Sequence, residues 1–124
     1  MAEREDPVKI HREGTVLSDK SQHKEAGEKF MQASDLYYKL GNFFDASYML
    51  FKAGECNFML KEYKIALERF QKSADIAFEK GFDRFGVSAL EYARDCYRAL
   101  KKRKEEKKLD EKIKELKAKL AESA

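Results

Sequence analysis

The chain has no tryptophan, one proline and two cysteines among its 124 residues. A single proline leaves long stretches free of the strongest helix breaker. Cys56 and Cys96 are too few for a disulfide framework, and they read as small buried thiols in a reducing compartment. No apolar run approaches the roughly 18 residues that a membrane-spanning helix needs. No basic-then-apolar leader follows Met1. The expectation is a soluble cytoplasmic protein with no transmembrane segment.

The signatures of catalysis are missing too. No GxSxG, HExxH or CxxC occurs, and the six glycines are scattered and form no phosphate loop. His11 and His23 stand twelve apart with no second His or Cys beside either, so no metal site is expected. No catalytic residue and no cofactor is expected, and a non-enzymatic protein follows.

What the chain has is charge and aromatics. Charged residues make up 40%, and six Tyr with nine Phe argue against disorder over most of the chain. The net charge of +3 is unevenly placed: residues 1–100 carry 16 basic and 17 acidic side chains, residues 101–119 ten basic and five acidic.

The main signal is a repeat. "KEAGEKF" at 24–30 recurs forty residues later as "KIALERF" at 64–70. Set over one another, 24–60 and 64–100 share Lys24/Lys64, Ala26/Ala66, Glu28/Glu68, Phe30/Phe70, Asp35/Asp75 and Gly41/Gly81, then Leu50/Leu90, Ala53/Ala93, Cys56/Cys96 and Leu60/Leu100. A twenty-residue period lies inside it, in Ala26, Ala46, Ala66 and Gly86 and in Phe30, Leu50, Phe70 and Leu90. Within one unit, Ala26, Phe30, Ala33, Tyr37 and Leu40 are spaced 4, 3, 4 and 3, which is one face of an α-helix.

Each twenty-residue unit is therefore one helix and its turn. The pattern predicts helices over 22–40, 43–60, 62–80 and 83–101, antiparallel because the turns are short. Gly41 and Gly81 suit helix C-caps, Asn42 or Asp45 suits the N-cap of the next helix, and Asp83 is placed for capping. The turn at "LKEY", 60–63, lacks glycine. Residues 1–21 read as a flexible segment or a short helix from Asp6-Pro7 to about Ser18, with Gly14 counting against the helix and residues 1–5 frayed. In 102–124, Leu109, Ile113, Leu116 and Leu120 form a helical face about 180° out of phase with Leu100. The expectation is a bend within the charged run 101–108, with the last helix packing back to cap the stack.

At "GNFFDASYMLFKAG" and "KEYKIALERFQKSADIAF" the chain resembles a tetratricopeptide (TPR) repeat. Ala46 and Ala66 match that family's small residue at the start of a second helix, and Phe70 its later aromatic. The period exceeds the family's usual ~34 residues. The longer layout, over about residues 22–100, is similar to the N-terminal hairpins of the soluble NSF-attachment (SNAP) proteins. The resemblance implies an all-α, right-handed stack of helical hairpins. SNAP proteins are much longer, and their exposed Phe-bearing membrane loop has no counterpart in "GTVLSDKSQ". The Lys, Asn and Arg set with which some TPR domains grip a C-terminal carboxylate is not found.

Two surfaces stand out as candidate sites. Tyr38, Tyr48, Phe51 and Phe58 lie on or beyond the edge of the filled helical stripes. They are either enclosed by a second layer of helices or anchors of a docking groove. The expected function is an adaptor that binds a peptide or helix of another protein, and a homodimer covering those aromatics is a further expectation. The alternative is nucleic-acid or anionic-surface binding through Lys101, Lys102, Arg103, Lys104, Lys107 and Lys108, against which the interspersed Glu and Asp weigh. A SNAP-like membrane-traffic adaptor is the reading that the resemblance alone would add.

Overall fold

In the computed structural model, which describes residues 5–123, the chain forms six helices and, among those residues, no strand. They are α1 (Pro7–Asp19), α2 (His23–Lys39), α3 (Phe43–Met59), α4 (Tyr63–Glu79), α5 (Asp83–Ala99) and α6 (Arg103–Glu122). Each helix packs on its sequence neighbours, giving an all-α stack of antiparallel helical hairpins.

One turn, used five times, sets the period. Ser21, Gly41, Lys61, Gly81 and Lys101 all have positive φ, between 58° and 85°. After each, the next N–H bonds the carbonyl five residues back: Gln22 to Leu17, Asn42 to Tyr37, Glu62 to Asn57, Phe82 to Ala77 and Lys102 to Tyr97, at 2.7–2.9 Å. The positive-φ residue itself bonds three back, as Lys61 N–H does to Phe58 at 3.0 Å. This is the Schellman motif, which satisfies the carbonyls that a helix end leaves free. The closing residue is also the N-cap of the next helix, so helices follow one another with three residues between them. The glycine-free turn at Lys61 is thus identical in form to the turn at Gly41.

Among the described residues, side-chain capping is found at α1 and not at the five helices that follow a Schellman turn. The Asp6 carboxylate accepts from the Val8 N–H at 3.0 Å, with Pro7 in the first turn. Asn42 holds the N-cap position of α3 as expected, although its side chain makes no cap bond; contrary to the sequence-based expectation, Phe82 rather than Asp83 holds the N-cap of α5. The Schellman turn already fixes the chain direction there.

Of the alternatives for residues 1–21, the structure has the helix, and its Gly14 is a contact. A Cβ on Gly14 would stand 2.8 Å from the Phe30 ring, and one on Gly54, forty residues on, 2.8 Å from the Phe70 ring. Phe30 and Phe70 are fully enclosed. Only a residue without a side chain lets α1 close on α2, and α3 on α4, around these rings. These two contacts join α1 to α2 and, forty residues on, α3 to α4; Gly86, whose Cβ would stand 2.8 Å from the Phe78 ring, makes an equally close approach between α5 and α4. The frayed start expected at 1–5 falls, apart from Glu5, outside the described residues.

Two apolar clusters fill the stack. One joins α1, α2 and α3 around Phe30, Met49 and Tyr37. The other joins α3 to α6 around Phe70, Leu90, Cys96 and Ile113. Buried hydroxyls are satisfied by helix carbonyls. Ser47 and Ser73 donate to each other's carbonyls at 2.8 and 2.7 Å across α3 and α4, and Ser34 donates to the Ala46 carbonyl at 2.8 Å.

The bend before α6 lies at Leu100–Lys102, so most of the charged run 101–108 is helical. α6 returns antiparallel along α5, as Arg98–Glu106 (2.9 Å), Arg94–Asp110 (3.0 Å) and Glu91–Lys117 (3.0 Å) show. Ile113 is its one enclosed residue among those described, with Leu109, Leu116 and Leu120 partly covered.

Candidate partner-docking surface

Alternation of direction puts α3 and α5 side by side on one layer, and aromatic rings bridge them. On α3, Phe44, Tyr48 and Phe51 are spaced 4 and 3, so they share a helix face. On α5, Phe85 and Tyr92 are seven apart and face them. Phe85 has its ring centre 5.4 Å from Phe44, 6.0 Å from Tyr48 and 5.5 Å from Phe51. Phe51 meets Tyr92 edge-on at 4.7 Å, and Phe82, in the turn before α5, meets Phe44 at 5.2 Å. Separations of this kind suit edge-to-face packing.

The ladder is closed in its depth and open at its rim. Phe51 is 8% exposed and rests on Phe70 beneath it, whereas Phe44, Phe82 and Tyr92 are 42%, 37% and 40% exposed. Beside Phe44, Phe82 and Phe85 lies an open cleft of about 510 Å³, bounded on its far side by Leu120 near the end of α6 and edged by Asp83 and Arg84. Its walls are aromatic and its edge is charged.

The four aromatics singled out in the sequence do not form one surface. Tyr48 and Phe51 belong to the ladder, Tyr48 half-buried and Phe51 in the core. Tyr38 is exposed elsewhere, edge-on to Phe43 at 5.1 Å, and lines a smaller cleft of about 360 Å³ with Leu50, Lys72 and Ile76. Phe58 lies at the other end of α3, half-buried against Tyr63 at 5.1 Å. Sequence reasoning missed Phe44, Phe82, Phe85 and Tyr92. The available signal was the shared spacing of Phe44 with Tyr48 and Phe51.

Lys101, Lys102, Arg103, Lys104, Lys107 and Lys108 are all exposed, and among the described residues none is in an ion pair. Two acids interspersed with them turn inward onto α5: Glu106 accepts from Arg98, and Asp110 pairs with Arg94 and with Lys114. Lys114 and Arg94 hold the Asp110 carboxyl below the usual aspartate range.

The remaining reactive groups are packed. Burial, with Asp95 beside it, pushes the Cys96 thiol up to about 12. Burial also raises Cys56, with Lys52 and Arg69 opposing. Both thiols stay protonated at neutral pH and are poor nucleophiles. His11 sits edge-on among Phe30, Tyr37 and Tyr48, at 6.3–6.5 Å.

Fold and surface together define a class: an all-α stack of helical hairpins, repeating every forty residues, with a charged helix at one end. The chain matches no protein-family model, no curated protein and no solved structure. No helix among the described residues is long and apolar enough to cross a membrane.

Proposed function

We propose that the protein is a non-enzymatic adaptor of the TPR/SNAP-like type, which docks an apolar helix or peptide of a partner protein between α3, α5 and the end of α6. The observation that carries this reading is the half-open aromatic ladder, with Phe44, Phe82 and Tyr92 exposed above a cleft of about 510 Å³. Exposed aromatics in contact with one another are costly to leave in water and are frequent interface anchors. The turn period of twenty and the Gly14–Phe30 and Gly54–Phe70 contacts support the hairpin-repeat type.

The test uses the tagged full chain to capture partners, with Phe44→Ser/Phe82→Ser as the surface variant and Tyr38→Ser as control. These residues are exposed, so the fold should survive, which circular dichroism checks. The expected outcome is one partner retained by wild type and control and lost by the double variant. Capture by all three alike would remove the cleft from the reading. Phe51→Ser is unsuitable, because Phe51 is a core residue.

A further inference from the structure

Antiparallel succession gathers the α1/α2, α3/α4 and α5/α6 turns at one end of the stack, away from the aromatic cleft. The last two of these turns carry Lys61, Lys64, Lys101, Lys102, Arg103 and Lys104, all exposed and, among the described residues, without an ion-pair partner. The acids there are fewer. In these two turns Glu106 is held by Arg98, and Glu62 accepts from the Asn57 amide at 3.1 Å, which leaves Glu105 freely exposed; the α1/α2 turn at the same end is balanced, with exposed Asp19 and Glu25 beside Lys20 and Lys24. The same end exposes aliphatic side chains. Met59, at 63%, is the most exposed large hydrophobic residue described, and Leu60 and Ile65 flank the α3/α4 turn.

We infer that this end is a second interaction surface, separate from the aromatic cleft, and that its partner is an acidic amphipathic segment of another protein. Charge complementarity calls for an anion. The choice between anions follows from the apolar residues. A nucleic-acid backbone would use the lysines but has no use for Met59, Leu60 and Ile65. Binding of single strands relies on exposed aromatic rings, on which bases stack. The aromatics near these turns, Phe58, Tyr63 and Tyr97, are half-buried, and the Tyr97 hydroxyl accepts from Gln71 at 3.1 Å. An acidic helix with an apolar stripe would use both halves of the surface: carboxylates on the lysines, aliphatic side chains on Met59, Leu60 and Ile65. With the aromatic cleft at the opposite end, one small stack would hold two partners at once.

The test measures fluorescence anisotropy on the full chain with four labelled probes: an amphipathic peptide of Glu, Leu and Ala, a polyglutamate of equal charge, a single-stranded oligonucleotide and a duplex. The amphipathic peptide should bind tightest, and its affinity should fall as salt rises from about 0.05 to about 0.5 M. Lys101→Glu/Lys102→Glu/Arg103→Glu should weaken it at least tenfold. Met59→Ser/Ile65→Ser should weaken the amphipathic peptide and leave polyglutamate unchanged. Phe44→Ser/Phe82→Ser should change neither. Tighter binding of either oligonucleotide, an indifferent charge reversal or no binding at all overturns the inference. Loss of the peptide in the Phe44/Phe82 variant would place it in the aromatic cleft, which overturns this inference and leaves the adaptor reading standing.

Discussion

At one position of the forty-residue repeat, the first two hairpins set a glycine against a phenylalanine: Gly14 on Phe30 and Gly54 on Phe70. In the third hairpin the same two positions hold Arg94 and Asp110, joined at 3.0 Å. The backbone turn is shared, because Lys101 takes the conformation of Ser21 and Lys61. The contact is not. The first two hairpins close on a ring that is fully enclosed, so their stability rests on apolar burial and close packing. The third closes on half-exposed ion pairs around one buried isoleucine, and the Arg94 Nε is buried without a hydrogen-bond partner among the described residues. Most of α6 outside Ile113 and its leucine neighbours is exposed, so an apolar ring at position 110 would be only partly covered. At this position the third hairpin makes an ion pair where the first two bury a ring.

The comparison breaks most sharply at Phe70. Phe70→Ala leaves a cavity beneath Phe51 and Tyr92 and should cost about 3–5 kcal/mol, measured by urea unfolding. Next is Gly54→Ala, whose added methyl would stand 2.8 Å from a ring that has no room to move. Overpacking of this kind costs about 1–3 kcal/mol. In the Phe70→Ala background the same change should reverse sign and stabilise by about 1 kcal/mol, because helix propensity then acts without a clash. Additive effects in this double-mutant cycle would show that glycine and ring are not one unit.

A smaller effect separates the two cysteines, which are also forty residues apart. Cys96 is pushed up to about 12, while Cys56 has Lys52 and Arg69 nearby to oppose the rise. The ordinary value is 9.0, so above that pH the unfolded thiol loses its proton and the folded one keeps it. Stability contributed this way is complete below pH 9 and is lost as pH rises towards 12, by up to about 1.4 kcal/mol per pH unit. Unfolding at pH 8 and pH 10 should therefore show a fall that Cys96→Ala reduces more than Cys56→Ala. Equal slopes in the two variants would contradict the difference between the sites.

How far all this could be read beforehand depends on the range of the interaction. Helices and their period follow from Ala26, Phe30 and Ala33 and their copies, because one helix face is a local pattern. The turn at Lys61 gave no signal, since a Schellman motif is made by the backbone and tolerates an exposed lysine at a cost of about 1 kcal/mol. Gly14 counted against a helix because its partner Phe30 is sixteen residues away on another helix. Its copy Gly54 was the missed clue. Phe51 resembled a surface anchor because its cover, Phe85 and Tyr92, comes from a helix two elements on. The basic tail looked diluted in sequence, whereas helical periodicity turns Glu106 and Asp110 towards α5 and leaves the lysines outside.

The smallest expected effect tests the cap itself. With its carboxyl held below the usual aspartate range, Asp110 supports the folded state above the ordinary value of 3.8, and that support is lost as pH falls through the folded value. Its pairs are partly exposed, so salt should weaken them as well. Hydrogen exchange at neutral pH should find α6 the least protected of the helices from α2 to α6. Raising salt to about 1 M should speed exchange in α6 by roughly threefold, the scale of exposed ion pairs, with α2 to α4 unchanged. Asp110→Asn should reproduce the faster exchange at low salt and blunt the further response. If α6 instead exchanged as slowly as α4 and ignored both salt and Asp110→Asn, then Ile113 and its leucine neighbours alone would hold it. The Arg94–Asp110 pair would then be a passive replacement for the Gly–Phe contact, with no share in fastening the cap.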